Sequence, residues 1–356
     1  MQELQDAPLA PLTTFRLGGP ARRLVTARTD AEVVETVRRA DRDGEPLLII
    51  GGGSNLVISD KGFDGTALHI ATTGRVLDRT DTGAVLDVAA GETWSDLVGD
   101  TVLEHRLAGI EFLAGIPGSV GATPVQNVGA YGTEVADTIT EVVAYDRSTG
   151  ETVTLANVAC AFSYRHSIFK AQPDRYVVLR VRFALADAAG RSNPVRYAEL
   201  ARALGVEQGG RVPVEAAWNQ VLRLRAGKGM VLDPADHDTW SAGSFFTNPV
   251  LDPAQLAAFT ARVHDRLGPD TAFPAFPAPD GGTKTSAAWL IERAGFGKGY
   301  GSGPARLSAK HTLALTNRGG ATTEDLLALA REVRAGVQTA FGITLVNEPV
   351  LVGVEL

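Results

Sequence analysis

GIEFLAGIPGSVGATPVQNVGAYG, residues 109–132, carries six glycines and two prolines, a density that excludes a regular helix or strand. The stretch also lacks the charge and the Ser, Glu and Lys content of a disordered linker. It therefore reads as an ordered loop. Gly115, Gly118 and Gly121 recur at three-residue intervals. Backbone without side chains lets N–H groups approach a ligand closely, and a row of them suits a diphosphate. Taken alone, the loop has a plainer explanation as a set of tight surface turns, so its meaning depends on the rest of the chain.

Upstream lies a second glycine loop, GGGSN at residues 51–55, directly after four apolar residues, 47–50, that read as a buried strand. Residues 22–26 read as another strand. Between them, Thr29 and Glu32 have capping-box spacing, Val33, Val34, Val37 and Ala40 form one apolar face, and Gly44-Glu45-Pro46 ends the helix. Strand, helix, strand and glycine loop make an α/β beginning. Downstream, strands are expected at residues 67–70, 84–89, 139–145, 152–155 and 176–185, with a helix over 93–105. From Asn193 the pattern turns helical: residues 216–225, a helix opened by Asp252-Pro253, residues 286–293, and a long helix from Thr322 to Gly342. The alternating glycines of residues 295–303 predict a flexible loop, and residues 343–352 a closing strand.

A chain of 356 residues accommodates two or three domains, and 44% hydrophobic with 21% charged residues is ordinary for a soluble protein. The net charge of −7 argues against broad binding of nucleic acid or anionic membranes, so phosphate recognition has to come from local cations and oriented amides. A small ligand is expected, with no obligatory protein partner. Cys160 is the only cysteine, which excludes an intrachain disulfide and any cysteine-rich metal cluster and fits a reducing compartment. The first residues lack a signal-peptide pattern and no apolar run approaches the roughly 18 residues of a membrane span. A cytoplasmic protein is expected. His166 reads as a structural hydrogen bonder, and His69, His105, His237, His264 and His311 show no ligand spacing, so no metal site is expected.

Neither glycine loop matches the common dinucleotide or P-loop fingerprints. Their apolar flanks, residues 47–50 and 113–117, suit a large planar ring better than a free phosphate. In FSYRHSIFK, residues 162–170, Tyr164 and Arg165 interrupt an apolar segment, Arg165 reading either as a functional cation or as a surface group lying over Phe162 or Phe169. Ser244 sits between Gly243 and Phe245-Phe246, an odd place for a solubilising hydroxyl. Without a nucleophile elbow it does not read as a hydrolase nucleophile, which leaves proton donation open. Arg225 and Lys228 near a helix end read as a phosphate clamp or as cations favoured by the helix dipole. The run Asp233, Asp236, Asp238 lacks the order of a calcium loop. Glu348, within LVNEPVLV, is an acid in apolar sequence that requires a partner, a raised pKa or an exposed face.

Six motifs in order, TTFRLGGPA from Thr13, IGGGSNLVISD from Ile50, AGIPGSVGATPVQNVGAYG from Ala114, SYRHSIFK from Ser163, AGSFFTNPV from Ala242 and LVNEPVLVG from Leu345, give the chain a resemblance to the UDP-N-acetylenolpyruvoylglucosamine reductases, flavoenzymes of peptidoglycan precursor synthesis. The resemblance implies an α+β protein: an FAD-binding fold of the vanillyl-alcohol-oxidase (PCMH) type in two lobes, residues 1–66 and 67–207, an α+β substrate-binding domain over 208–340, and a C-terminal strand, 341–356, that brings Glu348 to the flavin site. Tyr197 within VRYAEL and the long segment between Gly268 and His311 resemble the subclass with the larger substrate domain and a tyrosine loop.

The implied cofactors are non-covalent FAD and NADPH, and the implied substrate is UDP-N-acetylglucosamine enolpyruvate. Arg165 and Glu348 match the groups that polarise the substrate carboxylate, and Ser244 matches the proton donor. Cofactor positions are Gly51, Gly52, Gly53, Ser54 and Asn55 in the first loop, Ile116, Pro117, Gly118, Gly121, Ala122, Thr123, Gln126, Asn127 and Gly129 in the second, and Arg225. Tyr131, Tyr164, Tyr197, Lys228 and Asn248 match substrate-binding positions. The departures are Thr13 where the family often has asparagine, and Pro349 and Val350 after the glutamate, where an arginine is frequent at the second place. The rivals are a flavin oxidase of the same fold and a nucleotide-binding module without catalysis.

Overall fold

Thr29 caps the helix Asp30–Asp43 by accepting the Glu32 amide at 3.2 Å, and Gly44 ends it in the left-handed region at φ 63°. Its buried face, Val33, Val37 and Ala40, is the one the sequence periodicity marks. A computed structural model describes residues 1–278 and 281–356; residues 279 and 280, inside the long segment between Gly268 and His311, lie outside the described residues. The chain divides into two compact units. The first comprises Met1–Ala7, Ala21–Gly53 and Phe63–Val231, and the second Pro8–Pro20, Ser54–Gly62 and Leu232–Leu356.

In the first unit a four-stranded sheet has the order Gln2–Pro8, Pro20–Ala27, Phe63–Ile70, Leu47–Ile50, the last three mutually parallel. A five-stranded antiparallel sheet follows the order Glu151–Ala156, Ile139–Asp146, Tyr176–Ala186, Gly83–Ala89, Arg75–Thr80. Val25, Ala27 and Leu68 from the first sheet and Leu86, Val88, Val142 and Val181 from the second join one core with Trp94 and Leu97 of the helix Trp94–Leu103. Gln2–Pro8 and Arg75–Thr80 carry no apolar alternation because nearly all their side chains face solvent; hydrophobic pattern cannot reveal such edge strands. The helix Val214–Gly227 packs on Glu111–Leu113, Ala198–Leu204 and Trp94–Leu103. Compact packing of the first unit thus continues to Val231, past residue 207 where the sequence reading placed a boundary.

Glu111 is fully buried in this unit and accepts hydrogen bonds from the amides of Gly109 and Asn193. Burial pushes its pKa up, while the two amides pull it down. The carboxyl ties the start of the glycine-rich stretch to the segment after the second sheet. Glu111→Leu strands two buried donors, at roughly 1–3 kcal/mol each; a loss of about 2–6 kcal/mol is expected in denaturant unfolding, and unchanged stability would refute this role.

The second unit has three small sheet pieces, the parallel pair Leu56–Ile58 with Val350–Val352, the hairpin Ala305–Leu307 with Leu315–Asn317, and the antiparallel set Val250–Leu251, Thr283–Thr285, Ala275–Pro277. Helices Pro253–Leu267, Ala287–Arg293 and Thr323–Phe341 bury Phe259, Ile291, Val333 and Phe341 against Phe15, Phe245 and Leu315. The TTFRLGG motif belongs here. Thr14 Oγ1 donates to Ser241 O at 2.7 Å, and Asn317 Nδ2 donates to Phe15 O at 2.9 Å.

Two expectations are corrected in this unit. The closing strand is only Val350–Val352, because Pro349 has no N–H to give a ladder and Asn347 makes a single isolated bridge with Phe246. The glycine-rich residues 295–303 are held in place. Phe296 enters the core, a Cβ built on Gly336 would lie 2.3 Å from its ring, and Leu307 N donates to Tyr300 O at 2.9 Å. Among the described residues no helix is long and apolar enough to cross a membrane.

Candidate active site

In the first unit the two glycine loops adjoin. A Cβ built on Gly52 would lie 2.6 Å from Gly118 Cα, which excludes a side chain there for steric reasons, whereas one on Gly51 would meet only the rotatable Ser119 Oγ closely, at 2.3 Å. Among the described residues the amides of Gly52, Gly53, Gly118 and Ser119 donate to no protein acceptor. Gly121, Ala122 and Thr123 are different, because their amides already donate to Ala90 O, Ser119 O and Val120 O. Gly121 lacks a side chain for packing, since a Cβ there would meet Ala90 Cβ at 2.5 Å. The amides left to a ligand in the second loop are thus those around Gly118, next to half-buried Ile116 and Pro117. Side-chain-free backbone with unspent N–H groups is the donor set a diphosphate requires.

A second cluster in the same unit gathers Arg225, Tyr131, Tyr197 and Lys228. Arg225 is 9% exposed, donates from Nη2 to Met230 O at 2.8 Å, and among the described residues has no partner for Nε. Burial lowers its pKa to about 10, which still leaves the guanidinium charged at neutral pH. The half-buried Tyr131 phenol is pushed up to about 12, chiefly by burial, so it stays a neutral hydrogen-bonding group. Tyr197 stands edge-on to Tyr131 with ring centres 5.5 Å apart, and Lys228 Nζ lies 5.9 Å from the Tyr131 ring centre. Lys228 also pairs with Glu199 at 2.8 Å. Aromatic faces beside cations can hold a ring and a phosphate together.

Arg165 occupies the turn that bridges Ser163 and His166, at φ 53°. Its Nη2 donates to Gly129 O at 2.8 Å and its Nη1 to Asn127 O at 3.3 Å, while its guanidinium carbon lies 5.3 Å from the Tyr164 ring centre. The guanidinium is therefore seated on the second glycine loop. Asn127 and Tyr131 also have positive φ, 47° and 52°, so three expected site residues carry left-handed backbone that only surrounding structure sustains. Gln126 adjoins Asn127 in the same loop.

In the second unit Ser244 and Glu348 flank one short ladder. Glu348 N donates to Phe245 O at 2.8 Å, and Phe246 bridges Asn347. Asn55 completes it, with Nδ2 donating to Glu348 O at 3.3 Å and its own carbonyl accepting Val350 N at 2.9 Å. Ser54 and Asn55 thus fold with the second unit while Gly51, Gly52 and Gly53 fold with the first. Asn248 Oδ1 accepts Ala287 N at 2.9 Å at the start of Ala287–Arg293. Glu348 is half-buried and lies outside the regular strand.

Ser119, Glu134 and Glu199 were missed by sequence reasoning. Ser119 lies inside the GIPGSVG run and was readable there; the Glu199 partner is 29 positions away and has no local signal. Cys160 is buried, and burial pushes its thiol up to about 11. The aspartate run is tied into ion pairs, Asp236 with Lys310 and Asp238 with Arg318. Among the described residues no group of three His, Cys, Asp or Glu side chains could hold a metal ion.

Comparison with known proteins identifies relatives of the whole chain. Residues 233–352 match the family model of the UDP-N-acetylenolpyruvoylglucosamine reductase C-terminal domain, and residues 21–156 match the FAD binding domain model. The chain is 74% identical over 356 residues to the UDP-N-acetylenolpyruvoylglucosamine reductase of Streptomyces avermitilis, covering 100% of this chain and 96% of that one. It is 54% identical over 362 residues to that of Mycolicibacterium smegmatis, covering 99% and 97%. The crystal structure of the reductase from Thermus caldophilus superposes with a TM-score of 0.64 at 25% identity, covering 99% of this chain and 98% of that one. The fold is an FAD-binding domain joined to further α+β structure.

Proposed function

Because the chain belongs to the UDP-N-acetylenolpyruvoylglucosamine reductase family, we propose that it reduces UDP-N-acetylglucosamine enolpyruvate to UDP-N-acetylmuramate with NADPH and bound FAD. The observation that carries this reading is 74% identity across all 356 residues, a span that includes every motif named above. The residues present suit FAD. Gly118 leaves no space for a side chain on Gly52, and among the described residues the amides at Gly52, Gly53, Gly118 and Ser119 are unspent and buried Arg225 Nε is unpartnered. A cytoplasmic location accompanies the reading, supported by a single, buried cysteine.

FAD, held by the amides of Gly52, Gly53, Gly118 and Ser119 and by Arg225, would when reduced by NADPH supply hydride chemistry at the terminal enolpyruvyl carbon. The part of the protein is to stabilise the negative charge that then develops beside the substrate carboxylate. Arg165 serves this with a planar, permanently charged guanidinium whose position is set by two backbone carbonyls. Glu348 assists at the carboxylate, its backbone fixed by Phe245 and Asn55. Ser244 delivers a proton to the carbon that bears the charge. Tyr131, Tyr164, Tyr197, Lys228 and Asn248 hold the sugar nucleotide, the Lys228 ammonium and the Tyr131 and Tyr197 rings matching its phosphates and base.

Steady-state NADPH consumption tests the activity. It is expected to require the sugar nucleotide and to proceed without oxygen. Turnover sustained by oxygen and indifferent to the sugar nucleotide would instead identify an oxidase of the same fold.

A further inference from the structure

The carbonyls that hold Arg165, those of Asn127 and Gly129, share one acidic neighbour. Glu134 is the antiparallel partner of Gly129 in the two-residue ladder Gly129–Ala130 with Thr133–Glu134. A Cβ built on Gly129 would lie 2.9 Å from Glu134 Cγ and 3.3 Å from Arg165 Nη1, so the glutamate stem and the guanidinium crowd the same glycine. Its carboxylate also reaches Asn127, Oε2 accepting from Asn127 Nδ2 at 2.6 Å, a short charge-assisted bond. Asn127 is fully buried, with its backbone at φ 47°, and its amide further donates to Ser163 O at 3.1 Å and accepts from Ala136 N at 3.1 Å. Ser163 is in turn the bridge partner of His166 across the turn that carries Arg165. Glu134 is itself fixed, since its amide donates to Asp137 Oδ2 at 3.0 Å.

Each guanidinium nitrogen bonded to the loop therefore rests on a residue that Glu134 touches. Asn127 has left-handed backbone, which a non-glycine residue keeps only when its surroundings hold it there, and among the described residues the carboxylate is the one charged group its side chain bonds. Withdrawing that bond frees Asn127 to relax, and its carbonyl moves with it. We infer that Glu134 is a positioning residue for the reaction, setting the place of the Arg165 guanidinium through Asn127 and Gly129. The inference rests on the reading of Arg165 as the group that faces the substrate carboxylate.

The test compares Glu134→Ala, Glu134→Gln and Arg165→Met holoenzymes in anaerobic single turnovers. For Glu134→Ala, FAD content and the rate of reduction by NADPH are expected to match wild type. Reoxidation by the sugar nucleotide should slow by about 100-fold, the scale of a 1 Å misplacement, with little change in the concentration needed for half-maximal rate. Glu134→Gln keeps an acceptor for Asn127 Nδ2 and should recover most of the rate; it also serves if the alanine variant does not fold. Loss of FAD, equal slowing of both half-reactions, or a glutamine variant no better than alanine would reduce Glu134 to a structural staple and overturn the inference. Slow Arg165→Met with normal Glu134→Ala sinks only the positioning claim. Normal rates in both variants sink the Arg165 role itself.

Discussion

Ser244→Ala is expected to bleach with NADPH at the wild-type rate and then to stall, reoxidation by UDP-N-acetylglucosamine enolpyruvate falling by about 10²–10⁴-fold, the usual contribution of a positioned proton donor. The separation follows from chemistry. Reduction of the flavin by NADPH demands no proton at the enolpyruvyl carbon, whereas formation of the product does. Ser244 precedes two fully buried phenylalanines, and Phe245 is anchored from both sides, its amide donating to Leu313 O at 2.8 Å and its carbonyl accepting Glu348 N at 2.8 Å. Loss of one hydroxyl from this braced segment should not disturb the fold. Stopped-flow measurement of each half-reaction checks the expectation, and equal loss in both would contradict a role as proton donor.

Arg165→Met is expected to show the same division between half-reactions, with reoxidation slowed by about 10²–10³-fold, the scale reported by removing one preorganised group that stabilises transition-state charge. Arg165→Lys should restore little. An ammonium on a flexible stem cannot occupy both the Gly129 and the Asn127 carbonyls while presenting a flat face to a carboxylate. A lysine variant with near-wild-type reoxidation would mean that charge alone suffices and that the two-carbonyl seat has no catalytic value.

The parts of the fold with strong local signals were legible from sequence. The Thr29 cap, the Leu47–Ile50 strand, the helix from Asp252-Pro253 and the long helix capped by Thr322 all stand where spacing and capping chemistry place them. Gln2–Pro8 and Arg75–Thr80 were not legible because exposed strands have no apolar period to read. The closing strand was overextended because its apolar residues outvoted Pro349, whose missing N–H shortens the ladder.

The site was partly legible for a different reason. Glycines whose absent side chains make room for neighbouring backbone, as at Gly52 against Gly118, leave a signature in sequence. The commitment of the Gly121 amide to Ala90 O leaves none, since a glycine reserved for packing and one reserved for a ligand look alike. The seat of Arg165 was equally hidden: its partners are carbonyls 36 and 38 positions away, and a backbone acceptor has no residue type to recognise. The resemblance includes TTFRLGG in an FAD-binding lobe over residues 1–66, whereas Thr14 and Phe15 bond within the second unit, which only coordinates reveal.

The most direct test mixes the NADPH-reduced wild-type holoprotein with UDP-N-acetylglucosamine enolpyruvate in the absence of air and follows the visible absorbance of the flavin. The account predicts that the yellow colour returns as UDP-N-acetylmuramate forms. A flavin that stays bleached until oxygen is admitted would contradict it.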